Sequence, residues 1–386
     1  MDLVILAGGK GSRIKHMNPY LPKPMIKFNK ISFLQLLINH YSKFDINNIY
    51  ILAGYKGEII KKKFHNKIQN FVKIKCLIER KPMDTAGALN LVKKKIKDDF
   101  ILINGDTYLD IDNINDLKIE ANRRNKIGCL ALIKSNKKDI KFNNLFIDKK
   151  HNVIRKNKSK YINAGIYYFK KKIFKYIENK KLSIENTVLP NLIKKEMMVG
   201  IILNSFFLDI GTPLDLKKAK TKLIKHLKRP SVFLDRDGVI NHDNGYTHKF
   251  TDFKFRKNVV NFLNKISKKK RYVFIITNQG GIAKNKYTLK DFEKLHKQIK
   301  KYLSSKNIFI NDVEFCPHHP KGIIKKYSIK CKCRKPSNMM LKKIEKKWLI
   351  DKQKSFFIGD QLKDRLAAKK SNLKFFYVKK DILQQM

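Results

Sequence analysis

The chain has 386 residues, with 87 lysines and arginines against 32 acidic residues and a formal net charge of +55. This length exceeds one ordinary hydrophobic core, so we expect two domains. A hydrophobic content of 42% excludes a disordered chain. No apolar run approaches the roughly 20 residues that span a bilayer, so we expect no membrane partner.

The lysines are spread over the whole sequence and no nucleic-acid-binding motif accompanies them. This pattern favours compositional bias over a specific nucleic-acid partner, although the charge should attract anionic small molecules. Two isolated cysteines and one cluster of three argue against a disulfide framework. The beginning, MDLVILAGGK, lacks the features of a secretory signal. We therefore expect a cytoplasmic protein that binds small molecules and leave a homo-oligomer open.

Short apolar runs alternate with amphipathic segments, which predicts an α/β architecture with largely parallel sheets. The predicted strands of the first part are 2–7, 48–53, 73–78, 99–104 and 127–133, and its predicted helices are 32–43, 57–66, 86–95 and 213–227. After Arg229-Pro230 a new strand-first unit begins, so we expect one domain over 1–228 and another over 229–386. The predicted strands of the second domain are 231–235, 272–277, 312–316 and 355–358, and its predicted helices are 288–304, 338–348 and 362–370.

The first predicted strand opens into AGGKGSRIKHMNPYLPKPM at 7–25. Gly8, Gly9 and Gly11 let backbone N–H groups approach a phosphate closely. Arg13 and Lys23 add positive charge suited to a triphosphate. A glycine-rich turn is weak evidence alone, but four more stretches follow in order: ERKPMDTAGAL (79–89), NGD (104–106), YINAGIYYF (161–169) and SFFLDIGTPLDL (205–216).

These five stretches together resemble the sugar-1-phosphate nucleotidylyltransferases over about residues 1–225. The resemblance implies a Rossmann-like nucleotide-diphospho-sugar transferase fold, with Mg²⁺ on Asp106 and Asp209 and catalytic roles for Arg13 and Lys23. It also implies a nucleotide site and a sugar-phosphate site. The nucleotide site would comprise Ala7, Gly8, Gly9, Gly11, Thr85, Gly87 and Asp106, and the substrate contacts would be Asn163, Gly165 and Lys156.

Two positions depart from the family pattern. Asp84 stands where the family usually has glycine, and aspartate tolerates a left-handed backbone better than most residues. The usual Glu-Lys-Pro before Asn-Ala-Gly is missing, and the shortened stretch reads VIRKNKSKY at 153–161. Lys156 is the expected phosphate contact in this shortened stretch, and the departure concerns the sugar contacts and not the reaction type.

In the second domain, DRDGVIN (235–241) follows a strand, TNQGG (277–281) follows the next, and Lys335 and GDQLKD (359–364) come later. A carboxylate attacking phosphorus divides hydrolysis into two easier steps, which suits Asp235. Asp237 would then exchange protons with the leaving group and with water. This ordered set resembles the haloacid dehalogenase superfamily of phosphatases over about 230–386. The resemblance implies Thr277 and Lys335 on the phosphoryl oxygens, Asn278 as a substrate contact, and Mg²⁺ on Asp235, Asp237 and Asp360.

The stretch EFCPHHPKGIIKKYSIKCKCRKP (314–336) has the spacing of a metal site. Thiolates and imidazole suit tetrahedral zinc, and Cys316, His318, Cys331 and Cys333 would fill all four positions, which predicts a structural ion. His319 is an alternative ligand to His318. The flanks CPHHP and CRKP resemble the zinc-bearing heptose bisphosphate phosphatases and the related histidinol-phosphate phosphatases. The first resemblance implies that Arg334 contributes to substrate recognition.

We expect two three-layer α/β/α domains that act as one bifunctional enzyme of nucleotide-sugar synthesis, for lipopolysaccharide or S-layer glycan. A heptose 1,7-bisphosphate 7-phosphatase would yield the heptose 1-phosphate that the first domain accepts. The pairing points to guanosine triphosphate, or another nucleoside triphosphate, as co-substrate and to the α-anomer. The alternatives are a transferase for mannose or glucose 1-phosphate joined to a histidinol-phosphate-type or other sugar phosphatase, or a basic nucleic-acid-binding protein on a degenerate enzyme scaffold.

Overall fold

The computed structural model describes residues 1–134, 145–156 and 159–385, without the side chain of Lys15. The chain divides into two compact units. The first comprises Met1–Ile38, Ile46–Ile68 and Val72–Leu223, and the second Asn39–Asp45, Gln69–Phe71 and Ile224–Met386. The domain boundary expected after residue 228 stays a prediction. Within the described ranges, none of the helices combines the length and the apolar character that crossing a membrane requires.

The first part of the chain, up to residue 227, contains fourteen described strands and seven described α-helices. The strands are β1 Asp2–Ala7, β2 Lys27–Phe28, β3 Ile31–Ser32, β4 Asn48–Ala53, β5 Ile68–Gln69, β6 Val72–Ile78, β7 Phe100–Asn104, β8 Thr107–Leu109, β9 Gly128–Lys134, β10 Leu145–Ile147, β11 Val153–Arg155, β12 Tyr161–Phe169, β13 Met198–Leu203 and β14 Phe207–Asp209. The helices are α1 Phe33–Ser42, α2 Gly57–Phe64, α3 Asp84–Gly87, α4 Asn90–Lys93, α5 Asn115–Arg123, α6 Leu189–Lys194 and α7 Pro213–Leu227.

Ten of these strands form one mixed sheet with the order β11-β10-β12-β7-β1-β4-β6-β5, and β9 and β13 continue it from β12. The central strands β7, β1, β4 and β6 are parallel, as expected, whereas β12 runs antiparallel to β7 and β9. Successive side chains of β1, among them Leu3, Val4 and Ile5, are all fully buried. Because neighbouring strand residues point to opposite faces, both faces of the sheet are covered.

The helix expected over 86–95 is divided into α3 and α4. The amides of Ala86 and Gly87, in the first turn of α3, donate to the carbonyl of Leu182. A side chain at Gly87 would collide with the carbonyl of Lys180, so this segment lies directly against a neighbouring backbone. At the interruption itself the amide of Leu89 donates to the carbonyl of Ala86, three residues back, in place of the four-residue helical spacing.

The second part of the chain contains five strands and four α-helices within its described residues. The strands are β15 Ser231–Leu234, β16 Tyr272–Asn278, β17 Asp312–Cys316, β18 Phe356–Gly359 and β19 Lys374–Tyr377, and the helices are α8 Val259–Lys268, α9 Leu289–Ser304, α10 Met339–Lys347 and α11 Leu362–Lys369. The strands form one all-parallel sheet with the order β17-β16-β15-β18-β19.

Alternate residues of β15 belong to two separate hydrophobic clusters. Val232 and Leu234 pack with residues of α8 and α9, whereas Phe233 packs with residues of α10 and α11. Since alternate residues of a strand face opposite sides, the two clusters lie on opposite faces of the sheet. The second unit is therefore a three-layer α/β/α fold, as expected. The parallel strands of both units end at one edge of their sheet, where ligands of such folds bind.

Candidate active sites

A cavity of about 1160 Å³ opens in the first unit at the ends of its central strands. Its lining includes five residues that the sequence predicts for nucleotide, metal or substrate binding: Arg13, Asp106, Asn163, Gly165 and Asp209. The other predicted residues of this site are not among its lining: Ala7, Gly8, Gly9, Gly11, Lys23, Thr85, Gly87 and Lys156. Thus residues from four separate sequence stretches converge on one cavity.

Asp106 and Asp209 come together because their strands pair. Asp106 precedes β8, Asp209 ends β14, and the two strands form an antiparallel ribbon. Lys23 Nζ lies 2.6 Å from Asp106 Oδ2. Burial and then the charge of Asp106 raise the pKa of Asp209 to about 6, and Lys23 opposes this shift. Neighbouring carboxylates offer the hard oxygen donors that Mg²⁺ prefers, so this pair fits the expected ion.

Three backbone features shape the nucleotide side of this unit. Gly11 has a φ of 60°, a left-handed conformation that favours glycine, and Gly8 packs beside the carboxylate of Glu79. Asp84 has a φ of 59°, the left-handed conformation that the family's usual glycine would adopt without strain. Its Oδ1 accepts a hydrogen bond from the amide of Thr85 at 2.7 Å.

Glu185 joins the nucleotide and sugar sides of the cavity, and the sequence analysis missed it. Its Oε2 accepts a hydrogen bond from Thr85 Oγ1 at 3.0 Å, and its Oε1 lies 3.4 Å from both Asn104 Nδ2 and Tyr167 OH. Tyr167 OH in turn accepts a hydrogen bond from Asn163 Nδ2 at 2.7 Å. A lone glutamate in the stretch SIENTV carries no motif signal, because its partners come from three other segments.

The sugar side shows one close fit and one displaced prediction. Gly165 has a φ of 69°, and a Cβ there would lie 2.8 Å from Asn104 Nδ2, so only glycine fits. Lys156 places its Nζ 4.8 Å from the ring centroid of Phe146, whereas the neighbouring Arg155 lines the cavity. Residues 157 and 158 of the shortened stretch lie outside the described residues. The role of Lys156 as a phosphate contact stays a prediction.

In the second unit, Asp235 follows β15 and lies in a buried charged cluster. Lys335 Nζ is 2.8 Å from Asp235 Oδ2, 2.6 Å from Asp364 Oδ1 and 2.8 Å from the carbonyl of Ile276. Burial raises the pKa of Asp235 to about 6, against the opposing effect of Lys335 and with a further increase from Asp364. Burial lowers the pKa of Lys335, but the two carboxylates outweigh it and raise that pKa. The ammonium therefore stays charged beside Asp235.

Asp235, Asp360 and Asp364 offer carboxylate oxygens that lie within 4.8 Å of one another. Asp360 Oδ1 is buried and has no hydrogen-bond partner among the described residues. A carboxylate oxygen without a donor is costly to bury, and a divalent cation would compensate it. The cluster thus fits Mg²⁺, with Asp364 in the place where the sequence analysis put Asp237.

Asp237 lies outside this cluster because its carboxylate is held by other donors. Arg236 Nη2 is 2.8 Å from Oδ1 and 2.9 Å from Oδ2, and Asn241 Nδ2 is 3.1 Å from Oδ1. Gln279 Nε2 completes the set at 2.9 Å from Oδ2. This environment suits a proton-transferring carboxylate, and a metal-binding role for its side chain stays a prediction.

Thr277 and Asn278 end β16 beside the reactive cluster. Asn278 and Lys335 form a reciprocal pair, because the amide of Lys335 donates to Asn278 Oδ1 at 3.0 Å and Asn278 Nδ2 donates to the carbonyl of Lys335 at 3.2 Å. Arg334 Nη1 donates to the carbonyl of His318 at 3.2 Å. A Cβ at Gly280 would lie 3.2 Å from that same Nη1, so Arg334 reaches the loop that follows Thr277.

The cysteine stretch forms a compact cluster of four donor atoms. Cys316, Cys331 and Cys333 place their sulfurs 3.1 to 3.5 Å apart, and His318 Nδ1 lies 3.2 Å from Cys333 Sγ. In a tetrahedral zinc site with bonds of about 2.3 Å, the sulfurs are about 3.7 Å apart, so the donor set fits one zinc ion with slight expansion. His319 Nδ1 instead accepts a hydrogen bond from the amide of Lys321 at 3.1 Å, which favours His318 as the ligand.

Residues 3–226 match the family described as nucleotidyl transferase, and residues 233–379 match the family described as polynucleotide kinase 3 phosphatase. The D-glycero-beta-D-manno-heptose-1,7-bisphosphate 7-phosphatase of Escherichia coli (strain K12) is 36% identical over 144 residues, which are 37% of this chain and 75% of that protein. The D-glycero-alpha-D-manno-heptose-1,7-bisphosphate 7-phosphatase of Photorhabdus laumondii is 38% identical over 150 residues, which are 39% of this chain and 82% of that protein. The crystal structure of HddC from Yersinia pseudotuberculosis is 29% identical and covers 57% of this chain and 99% of its own, with a TM-score of 0.49.

Proposed function

Because the chain belongs to the nucleotidyl transferase family over residues 3–226, and in its second part to the family of heptose bisphosphate 7-phosphatases, we propose that it is a bifunctional enzyme of nucleotide-sugar synthesis. The second part hydrolyses the 7-phosphate of D-glycero-D-manno-heptose 1,7-bisphosphate. The first part transfers a nucleotidyl group to the resulting heptose 1-phosphate. The observation that carries the proposal is the presence of both acidic sites, Asp106 with Asp209 and Asp235 with Asp237, in one chain.

Hydrolysis begins when Asp235 attacks the phosphorus and the bond from phosphorus to the C7 oxygen breaks. Asp237 gives its proton to that oxygen, then takes a proton from the water that attacks phosphorus and releases Asp235. Lys335 and Thr277 hold the phosphoryl oxygens while charge moves between them. Mg²⁺ bound by Asp235, Asp360 and Asp364 would supply further charge neutralisation when present.

Nucleotidyl transfer needs positioning and neutralised charge more than covalent help. An oxygen of the sugar 1-phosphate attacks the α-phosphorus of the nucleotide, and the bond to pyrophosphate breaks. Arg13 and Lys23 stabilise the leaving charge, while Asn163 and Gly165 lie on the sugar side of the cavity. Mg²⁺ on Asp106 and Asp209 would add positive charge at the triphosphate.

The two reactions fit together because the product of the phosphatase is the acceptor of the transferase. A histidinol-phosphate phosphatase would have no such relation to a sugar nucleotidyl transferase. We propose GTP as the donor and the α-anomer as the sugar, which gives a GDP-heptose for lipopolysaccharide or S-layer glycan made in the cytoplasm. The relatives named above include phosphatases for either anomer, so the anomer is a variable of the experiment.

The experiment is to incubate the purified protein with Mg²⁺, the α- or β-anomer of the heptose 1,7-bisphosphate, and each of the four NTPs in turn. We expect release of the 7-phosphate followed by GDP-heptose in the reaction with the α-anomer and GTP, identified by mass spectrometry. Failure to release the 7-phosphate would refute the phosphatase assignment. Nucleotide sugar formed from a different NTP would refute the choice of guanosine.

A further inference from the structure

Gln279 and Tyr287 form a buried hydrogen-bond chain behind the phosphatase site, and neither has a role in the reaction described so far. Tyr287 OH donates to Gln279 Oε1 at 2.5 Å. Gln279 Nε2 donates to Asp237 Oδ2 at 2.9 Å and to Thr277 Oγ1 at 2.8 Å. Gln279 is 2% exposed and Tyr287 is 7% exposed, so water competes little for these bonds.

The donors and acceptors of this chain match one for one. A carbonyl oxygen only accepts hydrogen bonds, so Tyr287 fixes which end of the Gln279 amide faces it. The two hydrogens of Nε2 then meet two acceptors, one on Asp237 and one on Thr277. Since the Thr277 oxygen accepts from Gln279, its own hydrogen is left to donate to a phosphoryl oxygen of the substrate.

The surrounding contacts hold both members of the chain in place. The backbone amide of Gln279 donates to the carbonyl of Cys316 at 2.8 Å, which continues the pairing of β16 with β17. The ring of Tyr287 stacks on His248, with centroids 5.2 Å apart and planes at 9°. A Cβ at Gly281 would collide with the Tyr287 ring, so the glycine leaves room for the tyrosine.

We propose that Gln279, locked by Tyr287, is a positioning residue that orients Asp237 for proton transfer and Thr277 for phosphoryl binding in the same step. The inference rests on the proposed phosphatase function. Arg236 and Asn241 also donate to the Asp237 oxygens, so the loss of Gln279 removes one donor from Oδ2 without removing the charge partner of the carboxylate.

The test compares the full-length variants Gln279→Leu and Tyr287→Phe with the wild type on the heptose bisphosphate and on p-nitrophenyl phosphate. Gln279→Leu should lower kcat on the sugar phosphate by about 10- to 100-fold, as the loss of an oriented proton-transfer group does. We expect a KM within about threefold of wild type, because the ammonium of Lys335 still binds the phosphate. Tyr287→Phe keeps the side-chain amide of Gln279 but removes the hydroxyl that orients it, so it should lower kcat by only about three- to tenfold.

The leaving group separates positioning from general damage. Nitrophenolate departs without a proton, so its release in a single turnover at excess enzyme should fall much less than release of the sugar alkoxide. Tyr302→Phe, a half-exposed tyrosine on α9, is the matched control, and nucleotidyl transfer by the same chain confirms that each preparation is folded.

The outcomes are distinguishable. A wild-type chain that leaves the heptose bisphosphate intact overturns the proposed function together with this inference. An active wild type with both variants within twofold of its kcat overturns the inference alone. Equal losses on the two substrates also overturn it, because they show that Gln279 does not orient Asp237 for proton transfer.

Discussion

Asp235 and Asp237 are separated by one residue, yet their neighbours prepare them for different work. Asp235 faces the ammonium of Lys335 in a buried cluster of carboxylates, where an ionised oxygen can attack phosphorus. Asp237 is surrounded by neutral amides and the Arg236 guanidinium, which orient it for proton transfer. Residue type alone does not separate a nucleophile from an acid–base group; the donors around each carboxylate do.

The same site contains a buried histidine whose charge opposes folding in acid. His296 on α9 is 3% exposed, and its Nε2 lies 3.5 Å from Arg236 Nη1. Burial, then the positive charge of Arg236, hold the pKa of His296 well below its ordinary value of 6.5. As pH falls below 6.5, the unfolded chain binds a proton that the folded chain refuses. The free energy of unfolding therefore decreases, by at most about 1.4 kcal/mol per pH unit for this residue.

We predict that His296→Phe removes this pH dependence. Between pH 7.5 and 5.5 the stability of the wild type relative to the variant should fall by about 1.4 kcal/mol, measured by urea unfolding at both pH values. The chain has one tryptophan, Trp348, whose fluorescence reports on the second unit. His242→Phe, at an exposed histidine, is the control and should leave the slope unchanged. Parallel pH profiles of wild type and His296→Phe would contradict the prediction.

Site residues that stand in spaced motifs were predictable, whereas those defined by distant contacts were not. Asp106, Asp235 and Asp360 each follow a buried strand, and strand ends gather at one edge of a parallel sheet. Gln279 stands inside a recognised motif, but the orientation of its side chain depends on a hydrogen bond from Tyr287, eight residues later. Glu185 has partners from three other segments, so no local pattern indicates it.

At the scale of elements, the central strands β1, β4 and β7 were the most predictable, because nearly every residue in them is apolar and buried. β1 and β4 begin and end at the predicted residues, and α7 matches its prediction, 213–227. The helix over 86–95 was wrong as a single element, because it is interrupted between α3 and α4, next to the point where 180–182 packs against Gly87. Apolar patterns report burial well, but they do not reveal where a second backbone approaches a helix.

The loop from the end of β17 to Lys335 contains the candidate zinc ligands and ends at a residue of the phosphatase site. Its four donor atoms fit zinc, and Arg334 and Lys335 directly follow Cys333. We predict that the wild type binds one zinc ion per chain and that Cys333→Ser binds less. The variant should also lose phosphatase kcat/KM by at least about tenfold, because structural zinc supplies folding energy to the loop it binds. Metal analysis and phosphate release measure the two effects.

Lys332→Ala is the matched control, since this exposed residue lies between two of the cysteines. It should keep both the zinc and the activity. Nucleotidyl transfer should be unchanged in both variants. A Cys333→Ser protein with full phosphatase activity and no zinc would show that the ion does not support Lys335.

At the scale of the whole molecule, each unit carries its own acidic residues. Asp106, Asp235 and Asp360 follow parallel strands, whereas Asp209 ends β14 of the antiparallel ribbon. Asp106 and Asp209 lie in the first unit, and Asp235, Asp237 and Lys335 lie in the second. The order of motifs along the chain predicts this division, because all motifs of one set come before those of the other. The antiparallel β12 was not predicted, since strand direction within a sheet depends on pairing and not on composition.

This division leads to a prediction for the complete route. Asp235→Asn should release no phosphate from the heptose bisphosphate yet transfer a nucleotidyl group to supplied heptose 1-phosphate. Asp106→Asn should do the reverse and accumulate heptose 1-phosphate. Each amide keeps the size of the carboxylate and removes the charge that the reaction needs.

Neither variant alone should complete the route from heptose bisphosphate to nucleotide sugar. Mixed in equal amounts with GTP, the two should complete it, because heptose 1-phosphate is a soluble molecule that one variant releases and the other accepts. Once heptose 1-phosphate has accumulated above its KM, the rate of nucleotide-sugar formation should approach half that of wild type at the same total protein concentration. Chromatography of the nucleotide sugar over time measures this rate. If either single variant lost both activities, the assignment of one reaction to each unit would be wrong. If the mixture stayed inactive because Asp106→Asn kept heptose 1-phosphate bound, the prediction of a freely released intermediate would be wrong.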